Sequence, residues 1–285
     1  SWELACHKDG MSVIANGAAK GRTLADWLAA EGAGALGTKA AKFPYFPLLI
    51  KLIDAHDDLS VQVHPNDDYA LRVEGEYGKT ELWYVVDAAV GAELFYGFQY
   101  EITKEEFRRR IEDNTLLDVV RRVPVKKGDV FFIPAGTLHA IGKGILICEI
   151  QQNSNMTYRI YDYGRIGADG KPRDLHIEKA LDVTRLGPVP AHEDRTDEID
   201  VAADARARLL AACDYFSVYH LTVDGECEFT VGKDSFQCLT ALSGSMRLCT
   251  ETDELSIEKG ESVFLSAGLG RCALMGTGEL ILSKI

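Results

Sequence analysis

Gly128–His139 reads GDVFFIPAGTLH, and Gly260–Arg271 reads GESVFLSAGLGR. Both fit the template G-x5-[PS]-A-G-x2-[HR], and each follows a short run, VKK in one case and IEK in the other. A glycine ahead of a strand, a turn on a second glycine and then an outward-aimed side chain make a hairpin element. Two copies in one chain predict two similar β-barrels fused in tandem. The copies differ where chemistry would show. Pro134 and His139 of the first are replaced by Ser266 and Arg271 in the second, and arginine stays protonated and does not ligate metals.

Upstream of the first copy, Leu59–Val86 reads LSVQVHPNDDYALRVEGEYGKTELWYVV. Residues two apart in a strand share a face, so Ser60, Gln62 and His64 point one way while Val61 and Val63 point the other. In the later run Lys79, Glu81 and Trp83 share a face. An antiparallel pairing of the two runs would set an imidazole, an amide, a carboxylate and an ammonium side by side. A core buries such a group only if its members satisfy one another or hold a metal. The second copy has no equivalent: its opening strands read SVYHLTV and FQCLTAL, and His220 stands alone there as a core or surface histidine.

Around these runs, Thr23 caps a helix over Leu24–Ala30, and FPLLIKLID (Phe46–Asp54) is a buried strand in which Lys51 is the one cation. Lys51 either snorkels to solvent or serves an anion. A short helix follows Pro65, over Asn66–Val73. Thr103 with Glu106 opens a helix, a second is expected over Leu116–Arg122, and the pair reads as a helical insertion near 103–122. Strands are expected at Leu82–Asp87, Leu94–Gly97, Val130–Ile133, Ile145–Ile150 and Thr157–Tyr161. The polar turn Gly167–Asp174 then leads to a helix near Ile177–Thr184. Residues 188–208 are acidic, hold His192 and read as a linker between an N-terminal domain (1–187) and a C-terminal one (209–285) made of short strands.

The 285 residues carry a formal net charge of -13, which argues against nucleic acid or an anionic membrane as partner but leaves room for a small anion in a local cationic pocket. No apolar run approaches the roughly 20 residues that span a bilayer. Seven cysteines, an odd number with no C-x-x-C pair, indicate free thiols in a reducing cytosol. The expected location is cytoplasmic.

G-x5-P-x-G-x2-H, downstream of a strand with spaced ligands, resembles the cupin superfamily. DLSVQVHP, GKTELWYV, GDVFFIPAGTLHAIG and NMTYRIYDYGR together resemble the type I mannose-6-phosphate isomerases in their short bacterial form. The resemblance implies a mainly β fold of two cupin-type (jelly-roll) barrels, the second degenerate. It implies one Zn2+ per chain held by Gln62, His64, Glu81 and His139, a donor set that suits a borderline divalent metal. It assigns the substrate phosphate to Lys51, Ser60 and Lys79, and an active-site arginine to Arg159, whose alternative is an ion pair with Asp162 or Glu149. The implied reaction interconverts mannose 6-phosphate and fructose 6-phosphate through a cis-enediol, with Arg159, Glu149 and Lys79 as catalytic groups. Glu149 is the first candidate for the base, Asp162 and a hydroxide on the metal staying open. Family members carry a segment with aromatic and glycine residues ahead of the SWE with which this chain opens, so a preceding segment is expected. The partner is a small sugar phosphate, and the chain is expected to be a monomer or weak homo-oligomer. Two other readings compete. One is a non-heme iron cupin dioxygenase, which needs neither Gln62 nor phosphate-type cations. The other is a non-catalytic sugar-phosphate-binding cupin, against which the retained ligand set argues.

Overall fold

In a computed structural model, which describes residues 1–166, 170–189 and 198–285, the chain begins with β1 (Trp2–Leu4), β2 (Cys6–His7) and β3 (Gly10–Met11). Helix α1 (Leu24–Glu31) follows, capped by the Thr23 side chain on the Asp26 amide, and then β4 (Leu48–Ala55). The middle of the chain holds β5 (Val61–Val63), α2 (Asp67–Val73), β6 (Glu81–Ala88), β7 (Glu93–Phe98), α3 (Lys104–Glu112), β8 (Val120–Pro124), β9 (Val130–Ile133), β10 (His139–Ile141), β11 (Ile145–Gln152), β12 (Tyr158–Tyr161) and α4 (Ile177–Val183). The last part is β13 (Glu198–Ala202), β14 (Ala205–Ala212), β15 (Ser217–Val231), β16 (Gln237–Thr250), β17 (Glu254–Glu258), β18 (Ser262–Leu265) and β19 (Gly270–Lys284). No described helix is long and apolar enough to cross a membrane, and none of the seven cysteines is in a disulfide.

Contacts group these residues into two units, one of 1–51 with 198–285, the other of 52–166 with 170–189. Residues 1–51, expected from the sequence in the N-terminal domain, group with the C-terminal strands instead. Backbone bonds explain the grouping: the Thr38 and Lys39 amides donate to Lys233 O and Asp234 O, and the Phe236 amide returns a bond to Leu36 O. The expected linker 188–208 lies partly outside the described residues, as do the Gly167–Asp174 turn and His192. Its described end is not a linker but the hairpin β13–β14, in which Arg206 pairs with Asp200 at 3.4 Å. In this first unit the strands run β13–β14–β15–β19–β16–β17, with β18 also on β16.

The second unit holds two mainly antiparallel layers, one of the end of β4 (from Leu52) with β11–β6–β9 and the other β12–β5–β10–β7–β8. Alternation decides what each face meets. Val61 and Val63 pack outward with Phe98, Phe107, Leu116, Val120, Tyr158 and Ala180, where α3 and α4 cover the sheet. Gln62, between the two valines, takes the opposite face. A separate cluster of Trp83, Val85, Leu94, Tyr96, Ile133, Ile141 and Ile147 fills the interior.

Two expectations fail here. β5 and β6 do not pair: β5 sits between β10 and β12, and β6 between β11 and β9. Both carry a row of interior polar groups, and facing sheets about 10 Å apart bring such rows together as well as pairing would. The helix expected over Leu116–Arg122 is a single 3-10 turn, Leu116–Asp118, followed by β8. Val120 and Val123 favour the strand, and β8 completes the edge beside β7. The repeat, by contrast, has a common geometry. Gly128 and Gly260 have φ of 91° and 87°, and the turn glycines Gly136 and Gly268 have 86° and 78°, a region that glycine enters without steric cost.

Candidate metal centre

The second unit gathers His64, Glu81 and His139 with their ligand atoms within 4.8 Å of one another. Three elements deliver them. β10 places His139 opposite Gln62 on β5, and β12 places Arg159 opposite Gln62 on its other side, so one row of the sheet reads His139, Gln62, Arg159. His64 follows β5 directly, held by the bond from the Gly136 amide to its carbonyl. Glu81 opens β6 in the facing sheet, with Gln151 of β11 beside it.

The loop ahead of Glu81 is built as tightly. The Lys79 amide donates to Pro65 O, and the Gly78 amide to Asp67 Oδ1. A Cβ on Gly78 would meet the Asn66 carbonyl carbon at 2.4 Å, so only glycine fits. Thr80 exchanges bonds with Gln152, its amide donating to the side-chain oxygen and its carbonyl accepting from the Gln152 amide. Ser154 Oγ donates to Tyr77 O. This Gln151–Ser154 frame was missed in the sequence, where QQNSN looks like any polar loop entry.

Geometry within the centre favours a cation. The ring nitrogen Nδ1 of His64 lies 2.8 Å from Met156 O, and that of His139 lies 2.9 Å from Thr137 O. A carbonyl only accepts, so each Nδ1 carries the proton and each Nε2 presents a lone pair inward. Such outer bonds to backbone carbonyls orient metal-binding histidines. Those Nε2 atoms stand 3.2 Å and 3.5 Å from the two oxygens of Glu81. His64 Nε2 and both Glu81 oxygens are buried without a well-directed hydrogen bond. Gln62 Nε2 lies 3.3 Å from His139 Nε2, and turning the amide over would present its oxygen there instead. Two neutral imidazoles, a carboxylate and an amide oxygen fit a divalent ion with positions to spare.

Charge is arranged to keep the donors in their binding forms. Burial, with Lys79 nearby, lowers the His64 pKa to about 3. Burial also lowers that of His139. Burial alone would raise Glu81, but the Lys79 ammonium beside it holds it well below the usual carboxylate range. Lys79, 3% exposed, rests its ammonium 2.6 Å from Glu81 Oε1. Burial works against its charge, yet Glu81 and Glu149 together raise its pKa.

The remaining candidates fall as follows. Ser60 is buried just before β5. Glu149, 3% exposed, accepts from the Trp83 indole at 2.9 Å and lies opposite Trp83 in the β6–β11 register. Arg159 is not paired with Asp162; its Nη1 donates to Asp174 O, and its backbone amide to His176 Nδ1, a role for His176 that the sequence did not suggest. Asp162 is instead held by Arg165 and Arg173, which leaves it poorly suited to act as a base. Lys51 belongs to the first unit, buried, with its ammonium 5.5 Å from the centre of the Trp2 ring. Arg271, in the place of His139 in the repeat, is exposed.

The family model "Phosphomannose isomerase type I, catalytic domain" matches residues 1–82, and "Mannose-6-phosphate isomerase, cupin domain" matches 207–285. The chain is 41% identical over 285 residues to mannose-6-phosphate isomerase ManA of Bacillus subtilis, covering all of this chain and 88% of that protein. It is 39% identical over 282 residues to the mannose-6-phosphate isomerase of Streptococcus mutans, covering 99% of this chain and 87% of that protein. Among solved structures, the mannose 6-phosphate isomerase from Bacillus subtilis superposes with a TM-score of 0.89 at 37% identity, covering 100% and 88% of the two chains. A mutant phosphomannose isomerase from Salmonella typhimurium, at 18% identity and a TM-score of 0.78 over 99% and 89%, shares the fold.

Proposed function

Because the chain belongs to the type I phosphomannose isomerase family, we propose that it interconverts mannose 6-phosphate and fructose 6-phosphate, with zinc as its metal. The observation that carries this reading is the buried pair of imidazoles, each locked by a carbonyl so that its lone pair faces Glu81. Gln62, His64, Glu81 and His139 would hold the metal. When bound, it would supply Lewis-acid polarisation of the sugar's C1 and C2 oxygens.

The protein's own groups do the rest. Glu149 takes the C2 proton as the C2–H electrons form the C1–C2 double bond of a cis-enediol in its anionic form, the carbonyl pair passing to O1. The same carboxyl returns the proton to C1 while the O2 proton moves to O1, so nothing is oxidised or reduced overall. Arg159, in the row with Gln62, stabilises the negative charge that develops on the enediol oxygens. Lys79 keeps Glu81 anionic and adds its charge beside Glu149. Ser60, buried just before β5, offers the phosphate a hydroxyl.

A coupled assay of fructose 6-phosphate formation, run before and after chelation, tests the proposal. Turnover should vanish with the metal and return with added zinc. Full turnover by protein shown to be metal-free would overturn it, and oxygen uptake with bound iron would favour a dioxygenase. Glu81→Gln and His139→Ala should each lose metal and activity together, whereas Arg271→Ala should leave metal content unchanged.

A further inference from the structure

Trp83 is fully buried and sits two residues after Glu81, on the interior face of β6. Across one edge of the strand it lies opposite Glu149, and across the other opposite Phe131. Its indole N–H donates to Glu149 Oε2 at 2.9 Å, and its ring meets that of His139 edge to face, with centroids 5.1 Å apart at 81°. A buried indole N–H requires an acceptor. A carboxylate makes that bond charge-assisted and directional. One rigid ring system thus touches both the carboxylate and a histidine of the metal centre. A glutamate side chain has three torsions to fix, and the Lys79 ammonium, already on Glu81, is a competing attraction for it.

We propose that Trp83 is a positioning residue that acts through Glu149, pinning one carboxylate oxygen so that the group stays aimed at the reacting carbons. This rests on the reading of Glu149 as the base. A ring that merely filled the core would be needed for stability, with no coupling to Glu149.

The test compares Trp83→Phe, Glu149→Gln and the double variant as zinc-loaded enzymes, with kcat and KM for mannose 6-phosphate, metal content and melting temperature for each. Trp83→Phe keeps a ring against His139 and removes only the donor. Its kcat should fall by about 10- to 100-fold, the order that misplacement of a reacting group costs, with KM and metal content unchanged. The double variant should be no slower than Glu149→Gln alone. Unchanged kcat in Trp83→Phe beside an impaired Glu149→Gln would overturn the proposal. So would losses that multiply in the double variant, or a loss of metal in Trp83→Phe. Full kcat in Glu149→Gln would instead remove the base assignment and this proposal with it. Should Trp83→Phe fail to fold, incorporating a benzothiophene isostere at the tryptophans deletes the same N–H without a cavity, and the same outcomes apply.

Discussion

The outer nitrogens of His64 and His139, tied to Met156 O and Thr137 O, decide what the inner nitrogens can do, and they carry a pH signature. Both rings have folded pKa values below their ordinary 6.5, that of His64 about 3, chiefly through burial. The unfolded chain therefore binds protons that the folded chain refuses. Stability of the metal-free protein is fully present above pH 6.5 and falls as the pH drops from there toward about 3. Thermal melting of chelated protein between pH 7.5 and 4 should show this decline, shallower when both histidines are changed to Gln; a flat profile in the unaltered protein would contradict it. Asp162 gives a second titration. Although burial would raise its pKa, Arg173 and Arg165 hold it below the usual range, so its contribution is present above about pH 4 and lost below. Asp162→Asn should lower stability at pH 7 by roughly 1–3 kcal/mol, measured by urea unfolding, with the difference fading in acid. That Gln62 and His64 share one face, and Lys79 and Glu81 another, was legible in the sequence because alternation shows it; that His139 comes to join His64 and Glu81 was expected only through the family resemblance. The Trp83–Glu149 bond and the arginine pair on Asp162 were not legible, since alternation is silent about which side chains meet across strands.

Single elements show how a local sequence rule can be right about type and wrong about partner. GKTE leads into the strand that alternation reads from Lys79 onward and that begins at Glu81, yet this strand, β6, pairs with β11 and β9, not with β5. Hydrophobic patterning could not separate pairing within a sheet from facing across a sandwich, because both bring interior rows together. VRRVP likewise carries too few residues to declare its period, and the edge beside β7 settled it as a strand. The glycine in GKTE has a sharper consequence. Its missing Cβ lets the loop lie against Asn66, where an added carbon would come within 2.4 Å of backbone, and backbone cannot swing aside as a flexible side chain does. Gly78→Ala should therefore move Lys79 and Glu81 together. The expected cost is about 1–3 kcal/mol, as for other overpacked sites, with weakened metal binding. Metal content after dialysis, read beside the melting temperature, checks this; a variant that binds metal like the parent would show that the loop yields elsewhere.

At the scale of the whole chain, the repeat predicted two related β units, but not that residues 1–51 complete the C-terminal one. Nothing local could reveal it, because the partners lie some 190 residues apart in sequence and the signal is surface complementarity rather than periodicity. Phe46 packs on Phe236 and Phe264 at 5.4 Å and 6.3 Å between ring centroids, and Trp27 meets Phe264 at 6.1 Å. The Ala267 amide donates to Ala35 O. Phe236 is fully buried within this arrangement. Exposing a ring of that size forfeits about 1.5–3 kcal/mol, and a domain's whole margin is only about 5–15 kcal/mol. A fragment of residues 198–285 should accordingly lack a cooperative thermal transition, despite keeping every strand from β13 to β19. In the full chain, Phe46→Ala should cost about 3–5 kcal/mol by chemical denaturation of the first unit. Metal content per folded molecule should stay at the parent value, because every proposed ligand lies in the second unit. A fragment that melts cooperatively with native near-ultraviolet circular dichroism would show that the C-terminal sheet stands without the N-terminal residues.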